Sequence, residues 1–157
     1  MSSRLSPSAD GRFFREAVNQ ARLGRSEGGI PIGAVLAVDG MVLAEGRNRR
    51  LQQGSVIRHG EMDALESAGR QGAATYRRST MYTTLSPCDM CSGAILLYGI
   101  NRVVIGENRT YVGAEELLLT RGVEVVVLDD QECVEMMAAF VASRPDDWFE
   151  DIGEVPA

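Results

Sequence analysis

Histidine and cysteine are scarce in this sequence, which has one histidine and three cysteines in 157 residues. An odd and small number of cysteines argues against a disulfide framework. The longest uncharged apolar stretch, around residues 94–100, is far too short to span a bilayer. The opening MSSRLSPSADGR has no apolar segment of the signal-peptide kind, so we expect a cytoplasmic protein that has no membrane partner. Repeats and low-complexity tracts are also absent.

Basic residues are outnumbered, with 16 Lys and Arg against 22 Asp and Glu and a net charge of −6. Binding to a nucleic-acid backbone needs clustered cations that neutralise phosphates. The final third of the chain is instead strongly acidic, so a long polynucleotide is disfavoured as a partner. Two short basic groups, at 47–50 and 77–78, are interpreted as solvated surface.

The composition is that of one globular domain covering residues 1–157, with 45% apolar and 24% charged residues. Apolar spacing, turn signals and caps divide this domain into alternating elements. Helices are predicted at 10–24, 59–69, 87–98, 114–120 and 130–141, and strands at 32–38, 41–44, 80–85, 102–105 and 123–128.

Several local predictions accompany these elements. Asp10 is a plausible cap of the first helix, and Asp39-Gly40 is a strong two-residue hairpin signal. Met62 and Leu65 are expected to be buried, and the valine-rich strand at 123–128 to be covered on both faces. Strands separated by helices imply right-handed crossovers. The predicted fold is α/β: a three-layer α/β/α sandwich whose five-stranded, mostly parallel sheet has an antiparallel edge hairpin.

Two short motifs carry the chemistry: His59-Gly60-Glu61 and Pro87-Cys88-Asp89-Met90-Cys91. Cys88 and Cys91 lie three residues apart at a helix start, so both sulfurs share one face of the first turn. The positive end of the helix dipole favours thiolate, the form that zinc requires. His59, the single histidine, also begins a helix. One His and two Cys would leave the fourth tetrahedral position of a zinc ion for water, which marks a catalytic site.

Glu61 follows the histidine by two residues on the same turn, where it can reach water without binding the metal. A carboxylate there can move a proton between water and substrate. The combination of H-x-E with P-C-x-x-C is a known signature of zinc nucleobase deaminases. Taken alone, Cys88 and Cys91 could be a redox pair or core cysteines. A redox role would not account for Glu61 or the histidine. Cys133, among apolar neighbours, is interpreted as a small core residue.

The chain closely resembles the fungal-type cytosine deaminases of the cytidine deaminase superfamily. The similarity runs from about Phe13 to Glu154. Its motifs are GGIPIG (28–33), the RHGE context of Glu61, TLSPCDMC (84–91), YGI (98–100), GEN (106–108), TRG (120–122) and DWFEDIGE (147–154). The acidic, aromatic ending makes the resemblance specific to the cytosine branch.

The resemblance implies that His59, Cys88 and Cys91 bind one Zn²⁺ per subunit and that Glu61 shuttles protons. The remaining implied contacts surround a free base. Asn48 and the backbone N–H of Gly60 would hold the pyrimidine carbonyl. The backbone carbonyl of Ser86 and the carboxylate of Asp151 would receive the exocyclic amine, and Trp148 would cover the ring within a C-terminal lid, residues 145–157. The implied reaction converts cytosine to uracil and ammonia, the implied assembly is a homodimer, and the implied role is pyrimidine salvage.

The sequence departs from the fungal pattern at Tyr111, where those enzymes place a phenylalanine in the pocket. The added hydroxyl could admit another ring substituent or another base. Arg47, Arg49 and Arg58 also differ and are expected to be surface changes. The alternatives are a deaminase of guanine, isocytosine or creatinine, then a tRNA adenosine deaminase, and a non-catalytic zinc-stabilised scaffold.

Overall fold

The structure of the chain is a computed structural model that describes residues 7–156. Its helices are α1 (Pro7–Ser26), α2 (Arg50–Gln53), α3 (Gly60–Ala68), α4 (Ala73–Arg77), α5 (Asp89–Tyr98), α6 (Glu115–Thr120), α7 (Gln131–Ser143) and α8 (Pro145–Asp151). Its strands are β1 (Gly33–Val38), β2 (Met41–Arg47), β3 (Ser79–Leu85), β4 (Arg102–Glu107) and β5 (Glu124–Val127). No helix between residues 7 and 156 combines the length and apolar character that a membrane span requires.

The five strands form one sheet in the order β2-β1-β3-β4-β5. Strands β3, β4 and β5 run parallel, whereas β1 pairs antiparallel with both β2 and β3. The predicted five-stranded α/β fold with a hairpin at one edge is therefore confirmed. The sheet is better described as mixed than as mostly parallel, because two of its four pairings are antiparallel.

Helices cover both faces of the sheet, as predicted. Alternate strand residues point to opposite faces, and this alternation divides the core. Val35, Tyr82 and Val104 pack with α1 and α7 on one side. Their neighbours on the other side pack with α3, α4, α5 and α6. Cys133 is buried in the α1–α7 layer, in agreement with its interpretation as a core residue.

The hairpin and its contact with α3 fix the edge of the sheet next to the motif residues. Asp39 and Gly40 have φ values of 51° and 79°, the left-handed pair that a type I′ turn needs. Further along β2, a Cβ added to Gly46 would lie 2.3 Å from the backbone nitrogen of Ala64. Strand β2 and helix α3 therefore touch backbone to backbone, and only glycine permits this approach.

Three local predictions are wrong. Asp10 does not cap α1, because the helix begins three residues earlier. Strand β5 is not covered on both faces; it is the edge strand and its residues are half-buried or exposed. Met62 and Leu65 are only half-buried, because α3 turns Glu61, Asp63 and Ala64 inward instead. The buried face of this short helix thus carries carboxylates, which apolar spacing cannot reveal.

Short helices account for the remaining differences. Helices α2 and α4 lie in segments for which no helix or strand was predicted. Helix α7 is followed by α8, whereas the helix at 130–141 was expected to be the last. Elements of four to seven residues are too short to show a period.

We predict that Asp10→Asn lowers the free energy of unfolding by about 1–3 kcal/mol at pH 7. The Asp10 carboxylate accepts hydrogen bonds from the Tyr82 hydroxyl at 2.6 Å and from Arg102 at 2.9 and 3.0 Å. Burial raises the pKa of Asp10, but Arg102 and Tyr82 outweigh it and hold the pKa below its usual 3.8. The stabilisation is therefore present at neutral pH and lost as the pH falls through the lowered pKa.

Urea unfolding at several pH values measures this difference. Asp39→Asn is the matched control, because the exposed Asp39–Arg78 pair should contribute less than about 1 kcal/mol. Equal losses for the two variants would contradict the assigned role of Asp10.

Candidate active site

The motif residues meet at one end of the sheet. Strands β3 and β4 end here, β1 begins here, and β2 ends beside the start of β1. The segment after β2 leads to His59, the segment after β3 leads to Cys88, and the segment after β4 carries Tyr111. Helix α8 packs against this end through Trp148, which lies in a cluster with Ile30 and Leu85.

Two helix N-termini bring the three predicted zinc ligands together. His59 is the N-cap of α3, Cys88 is the N-cap of α5, and Cys91 lies in the first turn of α5. The two sulfurs lie 3.4 and 3.7 Å from the Nδ1 atom of His59. One ligand atom from each residue lies within 4.8 Å of the others. One imidazole and two thiols at this spacing fit a zinc ion.

The C-terminal helix sets the orientation of His59. Its Nε2 atom lies 3.1 Å from the backbone carbonyl of Asp151. A carbonyl can only accept, so this contact assigns the proton to Nε2 and leaves Nδ1 facing the sulfurs. Histidine ligands in metal sites commonly have such a partner on the second nitrogen.

The pKa values of the three side chains are strongly perturbed. A hydrogen bond with Cys91, and a further one with His59, lowers the pKa of the Cys88 thiol to about 4 against the effect of burial. Burial lowers the pKa of His59, but Cys88, Asp151 and Glu61 outweigh it and raise the pKa to about 9. A hydrogen bond with Cys88, together with burial, raises the pKa of the Cys91 thiol. Binding of a metal here would therefore release protons.

Glu61 lies in the first turn of α3 and is 4% exposed. Burial, followed by the charge of Cys88, raises the pKa of its carboxyl to about 7. The carboxyl lines the same cavity as His59 and Cys88. A group with a pKa near neutrality beside a metal site can take up and release a proton.

Most of the other predicted site residues line this cavity as well. Ser86, Tyr111, Trp148 and Asp151 form its walls, together with Ile32, Leu85 and Ile152. The rings of Tyr111 and Trp148 meet edge to face with centroids 6.1 Å apart. Gly60 is the first residue of α3, so its N–H has no partner within the helix. The cavity volume is about 20 Å³, close to the space of one water molecule.

Asn48 does not line the cavity directly but is bonded to a residue that does. Its Nδ2 donates to Oδ1 of Asp151 at 2.9 Å, and its Oδ1 accepts the backbone N–H of Arg50 at 3.0 Å. Arg50 then pairs with Glu150 and lies 3.4 Å from Asp151. The loop after β2 is thereby joined to α8 by a polar network in which Asn48, Arg50 and Asp151 are buried.

The expectation of a solvated surface at 47–50 and at Arg58 is wrong in part. Arg50 is 5% exposed, and Arg49 and Arg58 both donate to the fully buried carboxylate of Asp63. Sequence reasoning missed Arg50 and Asp63, because a run of arginines is commonly surface. The sequence did contain one signal for these buried arginines. Asp63 lies one helical turn after His59, and a carboxylate on the inward face of this helix requires cationic partners. The second basic group, at 77–78, is exposed as expected.

The wall that carries Tyr111 is fixed by two carboxylates. Glu107, fully buried, accepts the backbone N–H groups of Arg109 and Thr110. The Ser86 hydroxyl donates to Glu115 at 2.5 Å and accepts the N–H of Gly113 at 2.9 Å. With its hydroxyl so engaged, Ser86 has its backbone carbonyl as the remaining polar group for the cavity.

An α/β domain that groups one histidine and two cysteines at zinc-binding distances, beside a buried glutamate, has the arrangement of the zinc deaminases. Residues 7–107 match the family model described as the cytidine and deoxycytidylate deaminase zinc-binding region. The chain belongs to this family and is a zinc-dependent deaminase.

Individual relatives act on different substrates. The chain is 56% identical over 146 residues to the cytosine deaminase of Candida albicans. The aligned region covers 92% of this chain and 97% of that protein. It is 33% identical over 142 residues to the tRNA-specific adenosine deaminase of Bacillus subtilis, covering 83% and 88%.

Solved structures share the fold. A tRNA:A34 deaminase that edits A to I at the wobble position superposes with a TM-score of 0.70 and 28% identity, covering 80% of this chain and 99% of that one. A guanine deaminase from Nitrosomonas europaea has a TM-score of 0.66 at 19% identity, covering 83% of each chain, which shows a common fold alone.

We predict that Cys88→Ser weakens zinc binding by at least about 100-fold, because a thiolate ligand is replaced by a hydroxyl that remains protonated. Metal analysis after dialysis against a graded series of chelator concentrations measures the loss. Cys133→Ser is the matched control, since Cys133 is buried in another layer of the core. Retention of zinc by the Cys88 variant would remove this residue from the ligand set.

Proposed function

We propose that this protein hydrolyses free cytosine to uracil and ammonia. The observation that carries the proposal is the position of α8, whose Trp148, Asp151 and adjoining Ile152 close the cavity over the metal ligands. With α8 closed again over a bound base, the sugar of a nucleoside or the strand of an RNA would collide with this cover. The similarity to a cytosine deaminase over nearly the whole of both chains supports the same substrate.

We infer that part of the cover moves to admit a free base, because the cavity volume of about 20 Å³ leaves room for one water molecule. We therefore propose that residues 145–157 act as a lid within a single deaminase domain. Trp148 is 4% exposed and packs with Ile30 and Leu85. The lid is consequently also part of the core. We therefore propose that residues 145–157 move together when the cavity opens.

The polar groups around the cavity suit the two edges of cytosine. Asn48 has a second Nδ2 hydrogen beyond the one donated to Asp151, and Gly60 has a free N–H; both can donate to the ring carbonyl. Asp151 and the backbone carbonyl of Ser86 can accept from the exocyclic amine. Tyr111 and Trp148 supply aromatic surface for the flat ring. An unpaired polar group of the base would cost about 1–3 kcal/mol in such an enclosed site.

His59, Cys88 and Cys91 would hold the zinc ion, which supplies Lewis acidity for the activation of water. Glu61 then takes a proton from the attacking water and delivers it to the ring nitrogen next to the amine-bearing carbon. Addition of the hydroxide oxygen to that carbon gives a tetrahedral adduct. Glu61 carries the remaining hydroxyl proton to the amine, the C–N bond breaks, and ammonia leaves. The sum is cytosine plus water giving uracil plus ammonia.

We predict that Glu61→Gln reduces kcat by at least about 100-fold while zinc stays bound, because the amide cannot accept and return a proton. Ammonia release and metal content are measured on the same sample. Glu116→Gln, an exposed substitution on α6, is the control and should retain full activity. Near-normal turnover by the Glu61 variant would refute the assigned role.

A panel of substrates tests the proposed specificity. Cytosine should give the highest kcat/KM, with cytidine, guanine, isocytosine and creatinine far below it. A tRNA anticodon hairpin should remain unmodified, since the net charge of −6 opposes binding to a phosphate backbone. Faster deamination of guanine or of the hairpin adenosine would overturn the proposal. Failure of the zinc-loaded protein on every amine would favour a non-catalytic scaffold.

We also propose that the protein is a homodimer, with the α3–α5 face as the interface. This face carries the half-buried Met62 and Leu65 and the exposed Leu97 and Tyr98, which are 76% and 44% exposed. The side chains border a groove of about 670 Å³. Apolar patches of this kind commonly mark association surfaces. A cytoplasmic location and a role in pyrimidine salvage complete the proposal, since reducing conditions preserve the thiols that zinc requires.

We predict that Leu97→Glu shifts the protein from dimer to monomer, because a carboxylate placed in the interface would be desolvated. Light scattering coupled to size-exclusion chromatography gives the mass. Met41→Glu is the control, since Met41 is similarly exposed, at 71%, but lies on the hairpin. A monomeric wild type, or an unchanged dimer of the Leu97 variant, would contradict the assigned face.

A further inference from the structure

Asp63 is a fully buried carboxylate that the deamination chemistry does not use. It lies on α3 one turn after His59. Its Oδ2 atom accepts the backbone N–H of Arg47 at 2.9 Å and Nε of Arg49 at 3.0 Å. Its Oδ1 atom accepts Nε of Arg58 at 2.7 Å. Both oxygens of one buried side chain are thus used by three donors of a single chain segment.

The three donors lie at the two ends of the segment 47–58. Arg47 and Arg49 begin it, and Arg58 ends it next to His59. The ends are also joined by a backbone hydrogen bond from Arg49 to Arg58 of 3.0 Å. Asp63 therefore holds the two ends of this loop together. Its ion pairs with Arg49 and Arg58 add to the backbone hydrogen bond between the same two residues.

The clamped segment carries Asn48, which the proposed function assigns to the base. Asn48 lies between the two residues anchored at its start, and its backbone N–H donates to Ile32, a residue of the cavity wall. Arg50, the next residue but one, pairs with Glu150 and Asp151 of α8. A displacement of the loop base would therefore move the Asn48 amide relative to Asp151 and His59.

The arrangement is better suited to fixing geometry than to adding stability. The side chains of Arg49 and Arg58 are 31% and 33% exposed, whereas that of Asp63 is 0% exposed. Partly exposed arginines gain little from an ion pair. Burial of the carboxylate carries a desolvation penalty, and the hydrogen bonds and ion pairs of Asp63 mainly offset that penalty. The pairs therefore add little net stability, but they favour one arrangement of the segment.

We propose that Asp63 is a positioning residue that holds the 47–58 segment, and through it Asn48, in the geometry that binds the base. This inference rests on the proposed function of the site. Asp63 touches neither the base nor the metal in this role. Its removal should weaken base binding more than it slows the chemical step, because Glu61 and the three metal ligands stay in place.

The first arm of the test needs no substrate. Amide hydrogen exchange is followed across residues 47–58 in zinc-loaded wild type and in Asp63→Asn. The variant keeps a side chain of the same shape but loses the charge, so exchange in this segment should speed up by about tenfold, while α1 and β3 are unchanged. Equal exchange rates in the segment would overturn the clamp.

The second arm measures function at matched zinc content. Asp63→Asn should raise KM for cytosine and Kd for uracil by about tenfold, with kcat changed by less than about threefold. Arg49→Gln combined with Arg58→Gln should show the same split. The triple variant should be no worse than either parent, because all three positions act through one clamp.

The control is Arg78→Gln, which removes an exposed pair with Asp39 far from this segment and should leave KM unchanged. The Asp63→Asn variant could be less stable and still keep the KM and uracil affinity of the wild type. That result would show a merely structural role and overturn the proposal. A wild type that fails to deaminate cytosine would instead overturn the proposed function. The exchange arm would then still decide whether Asp63 holds the segment.

Discussion

The convergence of two helix N-termini at one end of the sheet is the constraint on which the rest of this structure depends. His59 and Cys88 are both N-cap residues, so each has an extended backbone and projects beyond its helix. The N-terminal ends of these helices also favour negative charge, in keeping with the lowered pKa of the Cys88 thiol. The imidazole and two sulfurs can share a metal only because β3 and the β1–β2 hairpin deliver both helices to the same place.

The metal centre and the cover of the cavity are physically joined. The backbone carbonyl of Asp151 orients the ring of His59, and the carboxylate of the same residue holds Asn48. Movement of α8 would therefore displace the contacts of His59 and of Asn48 together. If α8 acts as the proposed lid, this one residue would link the opening of the cavity to the orientation of His59.

Polar residues behind the cavity wall hold the surrounding segments in place through hydrogen bonds and ion pairs. Glu107 and Glu115 fix the wall that carries Tyr111, Arg50 ties the loop after β2 to α8, and Asp63 closes that loop at its base. Each is a charged side chain buried or partly buried with partners, as the cost of an unpaired buried charge requires. The proposed substrate is small and offers few atoms for recognition, so such supports would hold in place the few groups that contact it.

Sequence patterns were sufficient to predict the order of the principal helices and strands, the tight hairpin and the grouping of His59, Cys88 and Cys91 near Glu61. These features depend on local spacing: period, turn residues, and two motifs that each fit within one helical turn. The edge position of β5, the hydrogen bonds of Asp10 with Tyr82 and Arg102, and the inward direction of Arg50 became apparent from the fold alone. These outcomes depend on partners far away in the chain, such as Glu150 for Arg50, and no local pattern records which distant groups will be brought within hydrogen-bonding distance.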